Sequence, residues 1–497
     1  MASMGAYVRL LGAGWTLVLN DALLPRELDG FYSPGVRTLA NGLRLFASRR
    51  DGRPGERMAR SLQVLGPVAI KLGQLLSTRA DIFGRTFAED LGHLKDRLPP
   101  FPMAIARAEV ERELGQPVEA IFAAFGEPVA AASLAQAHEA MLLDGRRVAV
   151  KVLRPGIERQ VAADSAALDL AARLIERWAP LARRLQPVPF AQTVIRATEL
   201  ELDLRLEAAG ADELSEVMAA DGYMTAPKVV WDGVGKRVLT MEWSAGLPLS
   251  DAAALEQPGL DRKALADNLT RAFLAQALDH GVFHADLHEG NLFVSAPARL
   301  HAVDFGIIGR LGAGERRYLA EILWGFLRRD YPRVAQVHFD AGYVPAHHSV
   351  AAFAQALRAV GEPVFGRNAN AVAMSRVLTQ LFEITALYEM RLRPELVLLQ
   401  KTMVTVEGVA RRIDPTHDIW TAAEPVVRRW IARELSPLSR VKQLAGEAET
   451  ALRNIARMTA PPATPEPVPA PRSGRLLWFA LGALAAGGAF FAGALLR

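Results

Sequence analysis

Between Arg147 and Leu153 the chain alternates in the period of a buried strand rich in β-branched residues, and that strand carries one lysine, Lys151. Residues 128–138 predict a strand and a tight loop upstream of it, and Asp144-Gly145 is a hairpin turn signal. Val238, Leu239 and Met241 predict another strand. Apolar runs at Val282–Phe283, Leu292–Val294 and Leu300–Val303 predict three more. Elsewhere the period is helical. Leu62, Leu65, Leu72 and Leu76 form an apolar stripe, and residues 201–207 read as an acidic helix. Behind Pro394, the residues Leu396, Leu399, Met403 and Val406 predict a helix facing a core.

The short strands frame chemistry. His284, Asp286 and Asn291 stand in one loop, and Asp304-Phe305-Gly306 follows the Leu292–Val303 hairpin, which brings both carboxylates to the same end. An Asp that accepts a hydroxyl proton, an Asn five residues on and the Asp of a DFG turn are the arrangement that phosphoryl transfer needs around Mg²⁺. Asp286 is therefore the candidate base, and Asn291 and Asp304 are the candidate metal ligands. Lys151 is costly to bury without a partner, and nucleotide phosphates plus a helix glutamate are its natural partners; Glu207 is the candidate for that ion pair. Ala130, Ala131, Ala132 and Ser133 stand where a protein kinase has a glycine-rich loop, and each Cβ holds the backbone farther from a nucleotide, which argues against an ordinary protein kinase. Gln136 and Glu242 complete the candidate nucleotide contacts, Glu242 at the start of a hinge for adenine.

Residues 65–81, with Lys71, Gly73 and Gln74, resemble the KxGQ signature of the UbiB family of atypical kinase-like ATPases, also called the ABC1 or aarF-domain family. Ala130–Ser133 resemble its alanine-rich loop, Glu201 and Asp203 its ExD motif, and Asp286, Asn291 and Asp304 its catalytic and metal positions. The resemblance runs from about residue 20 to about residue 435, through Leu398–Thr402. It implies a protein-kinase-like fold, ATP and Mg²⁺ as cofactors, slow ATP hydrolysis and a role in ubiquinone biosynthesis, with the biosynthetic enzymes and lipid quinone precursors as partners. Lys71, Gln74 and Thr78 share one helix face, and the resemblance makes that helix a regulatory lid in which Lys71 pairs with Glu201 or Asp203. Gly73 is read as permitting the close approach of another backbone.

The fold class expected is thus α+β, a bilobal kinase-like body: a helical extension (residues 1–100), a small lobe (101–243) and a helical large lobe (244–459). A proline-rich spacer (460–475) and an uncharged segment (476–496), long enough for a bilayer core of about 30 Å, predict one transmembrane helix. Arg472 and Arg475 before it favour a catalytic body on the cytoplasmic side of the inner membrane. The apolar run Leu10–Leu19 lacks a cleavage site and predicts no secretory signal. A net charge of +4 gives no support to a nucleic-acid partner, and the absence of cysteine excludes disulfides and thiolate metal sites. The ten histidines show no metal-ligand cluster, with His347-His348 read as an exposed loop pair. A homodimer is among the expected partners. Two other functions fit the same motifs: a phosphotransferase acting on a protein or small molecule, and a lipid-binding scaffold that uses nucleotide as a switch.

Overall fold

Val148, Val150 and Val152 are fully buried on one face of strand β3 (Arg147–Leu153), and Lys151 stands on the other. That alternation makes β3 the centre of an antiparallel sheet with β1 (Phe122–Ala131), β2 (Ala135–Leu142) and β4 (Val238–Glu242) in the order β1-β2-β3-β4. In the register, Lys151 faces Ala137 of β2 and Leu239 of β4. The valine face packs on Ala106 and Val110 of a helix that precedes the sheet. The other face belongs to a core continuous with the helical half of the molecule.

The computed structural model describes residues 4–23, 34–48, 51–77, 84–92, 94, 98–178, 186–366, 384, 387–390 and 394–434. Its N-terminal extension contains α1 (Met4–Leu19), α2 (Pro34–Arg44), α3 (Pro54–Leu65), α4 (Pro67–Ser77) and α5 (Arg85–Gly92). Then come α6 (Met103–Leu114), which covers the valine face, and the short α7 (Val118–Ile121). Between β3 and β4 lie α8 (Ile157–Trp178), α9 (Pro187–Leu200) and α10 (Leu204–Asp221). The larger half holds α11 (Arg262–Ala275), α12 (Ala313–Leu327), α13 (Tyr331–Asp340), α14 (Val350–Gly366), α15 (Pro394–Ile413) and α16 (Ile419–Glu434). Two small antiparallel ribbons sit among them: β5 (Leu247–Pro248) with β7 (Leu292–Ser295) and β8 (Arg299–Ala302), and β6 (Val282–His284) with β9 (Ile308–Arg310). The architecture is α+β, a sheet with segregated helices. Val406 and Ala410 of α15 are fully buried, in keeping with the helix facing a core.

Three expectations change. The leucine stripe is divided between two helices, because Gly66 at φ 98° and Pro67 break the chain between α3 and α4. Leu62 then joins Ile70, Leu91 and Leu94 inside the extension, whereas Val68 of α4 reaches the main core and Leu72 packs against both. Gly73 makes room for the side chains of Leu62 and Leu94, and not for another backbone. Residues 201–207 are likewise not one helix. Asp203, in extended geometry, accepts the Arg205 N–H and caps α10, so α9 ends at Leu200 and a new helix begins. The predicted spacer and transmembrane segment lie outside the described residues, and among the described residues no helix is long and apolar enough to cross a membrane.

The connection between the halves leaves β4 and crosses β7 at Gly246, whose φ is 86° and whose missing Cβ would collide with the Val294 carbonyl. Gly145 has the same φ, 86°, but open space around it. Gly145→Ala should therefore cost only the backbone strain, of order 1–3 kcal/mol. Gly246→Ala should cost clearly more, and denaturant unfolding of the two variants measures the difference; equal losses would mean that the crossing is not tight.

Candidate active site

The two ribbons set the site. Leu292 pairs with Ala302 at the open end of the β7–β8 hairpin, so Asn291 and Asp304, just beyond that pair, emerge side by side. His284 pairs with Ile308 in the β6–β9 ribbon and carries the Asp286 loop to the same place. His284 is buried: its Nδ1 accepts the Asp286 N–H at 3.2 Å and its Nε2 faces the Val303 carbonyl at 3.3 Å. Burial lowers its pKa, so the ring is a neutral brace between the two loops and packs on Phe305 of the DFG turn. Asn291 donates its Nδ2 to the Asp286 carbonyl at 3.1 Å, which turns its Oδ1 away from that bond. Asp304 has φ 60°, a left-handed backbone that Asp tolerates better than most residues.

Lys151 and Glu207 meet in two hydrogen bonds, of 2.7 and 2.9 Å, and Asp304 Oδ1 lies 3.6 Å from the same ammonium. Burial alone would lower the Lys151 pKa, but the carboxylates of Asp304 and Glu207 outweigh it and raise it. Lys151 in turn holds Asp304 below the usual carboxylate range, whereas burial raises Glu207. One turn along α10, Gly210 lies against Ile308, which keeps α10 close to the chain after the DFG turn. Arg310 of β9 also binds Glu213 of α10, at 2.8 Å.

The alanine loop is tied at its main chain. Ala132 N–H donates to the Ala135 carbonyl at 2.8 Å, the Ala131 carbonyl accepts from Leu98 N–H at 3.2 Å, and Arg154 Nε donates to the Ala132 carbonyl at 2.8 Å. Ser133 is buried and Ala130 exposed. Lys71 of α4 forms an ion pair with Glu201, whose pKa is raised by burial. Asp203 is not the partner of Lys71; its carboxylate is held by Arg205 at 2.6 Å, which lowers its pKa. Gln74 is half-buried on the same helix.

One predicted contact, Gln136, falls elsewhere. Gln136 lies on the valine face of the sheet, opposite Lys151, where its carboxamide bonds both the N–H and the carbonyl of Phe101 and approaches His138. Its position beside the alanine loop in sequence misled, because adjacent strand residues point to opposite faces. The Glu242 N–H is taken by the Lys228 carbonyl and its carboxylate faces Arg146 at 3.4 Å, so a hinge contact to adenine from this residue would come from its main-chain carbonyl. The histidine pair also needs correction. His347, His348 and Glu389 place ligand atoms within 4.8 Å of one another, in a surface cluster where His347 Nε2 is 3.6 Å from the glutamate. Glu389 is far away in sequence, so no spacing signal could show it.

Sequence reasoning missed Arg154 and Lys401. Arg154 directly follows β3, and its guanidinium fixes the loop that β1 and β2 present. Lys401 Nζ, from α15, is 3.6 Å from Asp286 Oδ1, and the neighbouring Thr402 Oγ1 donates to the Ala285 carbonyl at 3.0 Å. Lys401 and Thr402 sit in a helix read as core and as part of the family resemblance, with no role at the site; a lysine and a threonine side by side in an apolar helix was the available signal.

Residues 93–338 match the ABC1 atypical kinase-like domain and residues 357–418 match the UbiB helical domain. A probable protein kinase UbiB of Marinobacter nauticus is 41% identical over 78% of this chain and 72% of its own length. The chain belongs to the UbiB family. Another member, the probable protein kinase UbiB of Pseudomonas putida, is 42% identical over 82% of this chain and 76% of its own. The solved structure of Rv3197 with erythromycin, from Mycobacterium tuberculosis, is 24% identical and covers 73% of this chain and 93% of its own, with a TM-score of 0.52, and shares the fold. Kinase-like fold and UbiB membership thus stand together, as the resemblance implied.

The opposed shifts give the site a pH dependence. As pH falls, Glu207, raised by burial, takes up a proton while Asp304, held down by Lys151, remains ionised. ATP affinity should therefore weaken on acidification at a pH above the range of an ordinary glutamate. Glu207→Gln should flatten that acid limb and weaken binding at neutral pH by about tenfold, the size of one charge-assisted hydrogen bond. Calorimetric titration with ATP across pH checks this, and an unchanged acid limb in the variant would overturn the pairing as its cause.

Proposed function

We propose that the protein is a membrane-anchored, Mg²⁺-dependent atypical kinase or ATPase that supports ubiquinone biosynthesis by acting on or presenting lipid quinone precursors. The observation that carries the reading is the Lys151–Glu207 ion pair set 3.6 Å from Asp304, beside Asn291 and Asp286. A carboxylate and an amide oxygen are the hard donors that Mg²⁺ takes, so Asp304 and Asn291 fit the ion. Bound MgATP supplies the γ-phosphoryl group. Lys151 orients the α- and β-phosphates, Asp286 takes the proton of the nucleophile or positions it, and Ala130–Ser133 cover the phosphates. Lys71, Gln74 and Glu201 form the lid.

The membrane part rests on residues 460–496, a proline-rich spacer before an uncharged segment that suits one span of the inner membrane, with the catalytic body on the cytoplasmic side. A second feature agrees with it: α1 exposes Val8, Leu11 and Trp15, and Leu45 and Phe46 after α2 are exposed beside them, Trp15 and Phe46 with ring centroids 5.5 Å apart. Quinone precursors are too apolar to cross water freely, so an ATP-driven protein at the bilayer surface can hand them to soluble enzymes of the pathway.

Asp304→Asn keeps shape and removes the charge that binds the metal, so Mg²⁺-dependent ATP hydrolysis should fall by roughly 10²–10³-fold at an unchanged melting temperature. Quinone profiling of a deletion strain carrying this variant should show loss of ubiquinone; full complementation would refute the assignment. Truncation after Ala460 should release the protein from membranes with nucleotide binding intact, and fractionation checks it. In that soluble form Lys71→Ala should change ATP kinetics by several-fold, since it cuts the tie between α4 and Glu201; kinetics identical to the parent would remove α4 from the mechanism.

A further inference from the structure

The loop from His284 to Asn291 contains Asp286 and Glu289 but neither lysine nor arginine. Phosphoryl transfer spreads negative charge over the oxygens of the moving group, and a site that already holds carboxylates needs cations on the acceptor side as well as on the nucleotide side. Lys151 is committed to the nucleotide side, bonded to Glu207 and facing Asp304. Among the described residues, the Asp286 carboxylate lies beside the imidazole of His288, with Nε2 3.5 Å from Oδ2, and beside the ammonium of Lys401, with Nζ 3.6 Å from Oδ1.

Lys401 does not arrive there by chance of a long side chain. Its helix is fastened to the same loop at two points, by Thr402 Oγ1 on the Ala285 carbonyl at 3.0 Å and by Arg412 in an ion pair with Glu289. Thr402 is buried, and Val406 and Ala410 anchor α15 in the core. The distance of 3.6 Å is longer than a hydrogen bond, and the lysine side chain is about one-third exposed, so its ammonium has room to turn toward a phosphoryl oxygen without leaving Asp286.

We infer that Lys401, from the UbiB helical domain, supplies the acceptor-side positive charge of the reaction, which orients Asp286 and faces the transferring phosphoryl group. The inference rests on the phosphoryl-transfer reading above. In the step it serves, the nucleophile's oxygen bonds to the γ-phosphorus, its proton passes to Asp286, and the bond from that phosphorus to the bridging oxygen of ADP breaks. The helical domain is then part of the chemistry, as the provider of a cation that the loop itself lacks.

The test compares Lys401→Met, Lys401→Gln and Lys401→Arg in the full chain, with Asp304→Asn alongside, by steady-state hydrolysis of MgATP and by thermal unfolding. Because Lys401 acts when charge moves and not when ATP docks, Lys401→Met should lower kcat by about 10²–10³-fold with KM for ATP changed less than threefold. Lys401→Arg, which restores the charge, should recover at least tenfold of that loss. A merely structural lysine would give a lowered melting temperature and no rescue that follows charge. If Lys401→Met unfolds, Lys401→Gln is read by the same kcat criterion. A kcat within threefold of wild type, or a loss confined to KM, overturns the inference while the phosphoryl-transfer reading stands, provided that Asp304→Asn is inactive. Wild-type turnover in Asp304→Asn would instead refute that reading.

Discussion

Lys151 is a cation placed on the inner face of a strand whose other face is entirely valine, and the site depends on the carboxylates that make this tolerable. A partly buried cation is costly to leave without a well-placed carboxylate. Glu207 must therefore be delivered to β3, and that fixes where α10 runs. Asp203 starts α10 at the right residue, Gly210 lets it lie against Ile308, and Glu213 is bonded by Arg310. Sheet, helix and the chain that follows the DFG turn are thus locked by charge and by contact to one another.

Besides packing Val68 into the main core, the N-terminal extension reaches the site's surroundings through Lys71 and Leu98. Lys71 binds Glu201, at the joint between α9 and α10, so the ion pair reports on the same segment that positions Glu207. Leu98 and Arg154 hold the alanine loop by its carbonyls. Alanine restricts the backbone where glycine would not, and the hydrogen bonds add to that restriction. A loop so pinned is held more rigidly over a nucleotide than the glycine-rich loop of a protein kinase, which suits an atypical kinase better than a protein kinase.

The large half contributes more than support. His284 is a neutral ring that spans two loops and packs on Phe305, while α15 lays Thr402 on the Ala285 carbonyl. The loop with Asp286 is thereby held from β6 below and from α15 above, so its carboxylate is fixed by elements far apart in sequence.

Sequence alone determined the parts whose signals are local. Strand β3 with its lysine, the hairpin that sets Asn291 beside Asp304, and the order of the motifs follow from periodicity, turn chemistry and fixed spacing, because neighbouring residues impose them. The family was legible for the same reason. What lay beyond was decided by which face, which helix end and which distant partner each side chain met. Gln136 went to the far face, since a strand alternates its side chains and the motif's spacing does not record which face is which. The break at residues 201–203 came from one capping bond, and it gave Lys71 to Glu201 while Asp203 went to Arg205. Arg154 and Lys401 reach the site across strands and helices, by contacts that exist only once the core has brought β3 and α15 to the loops they touch.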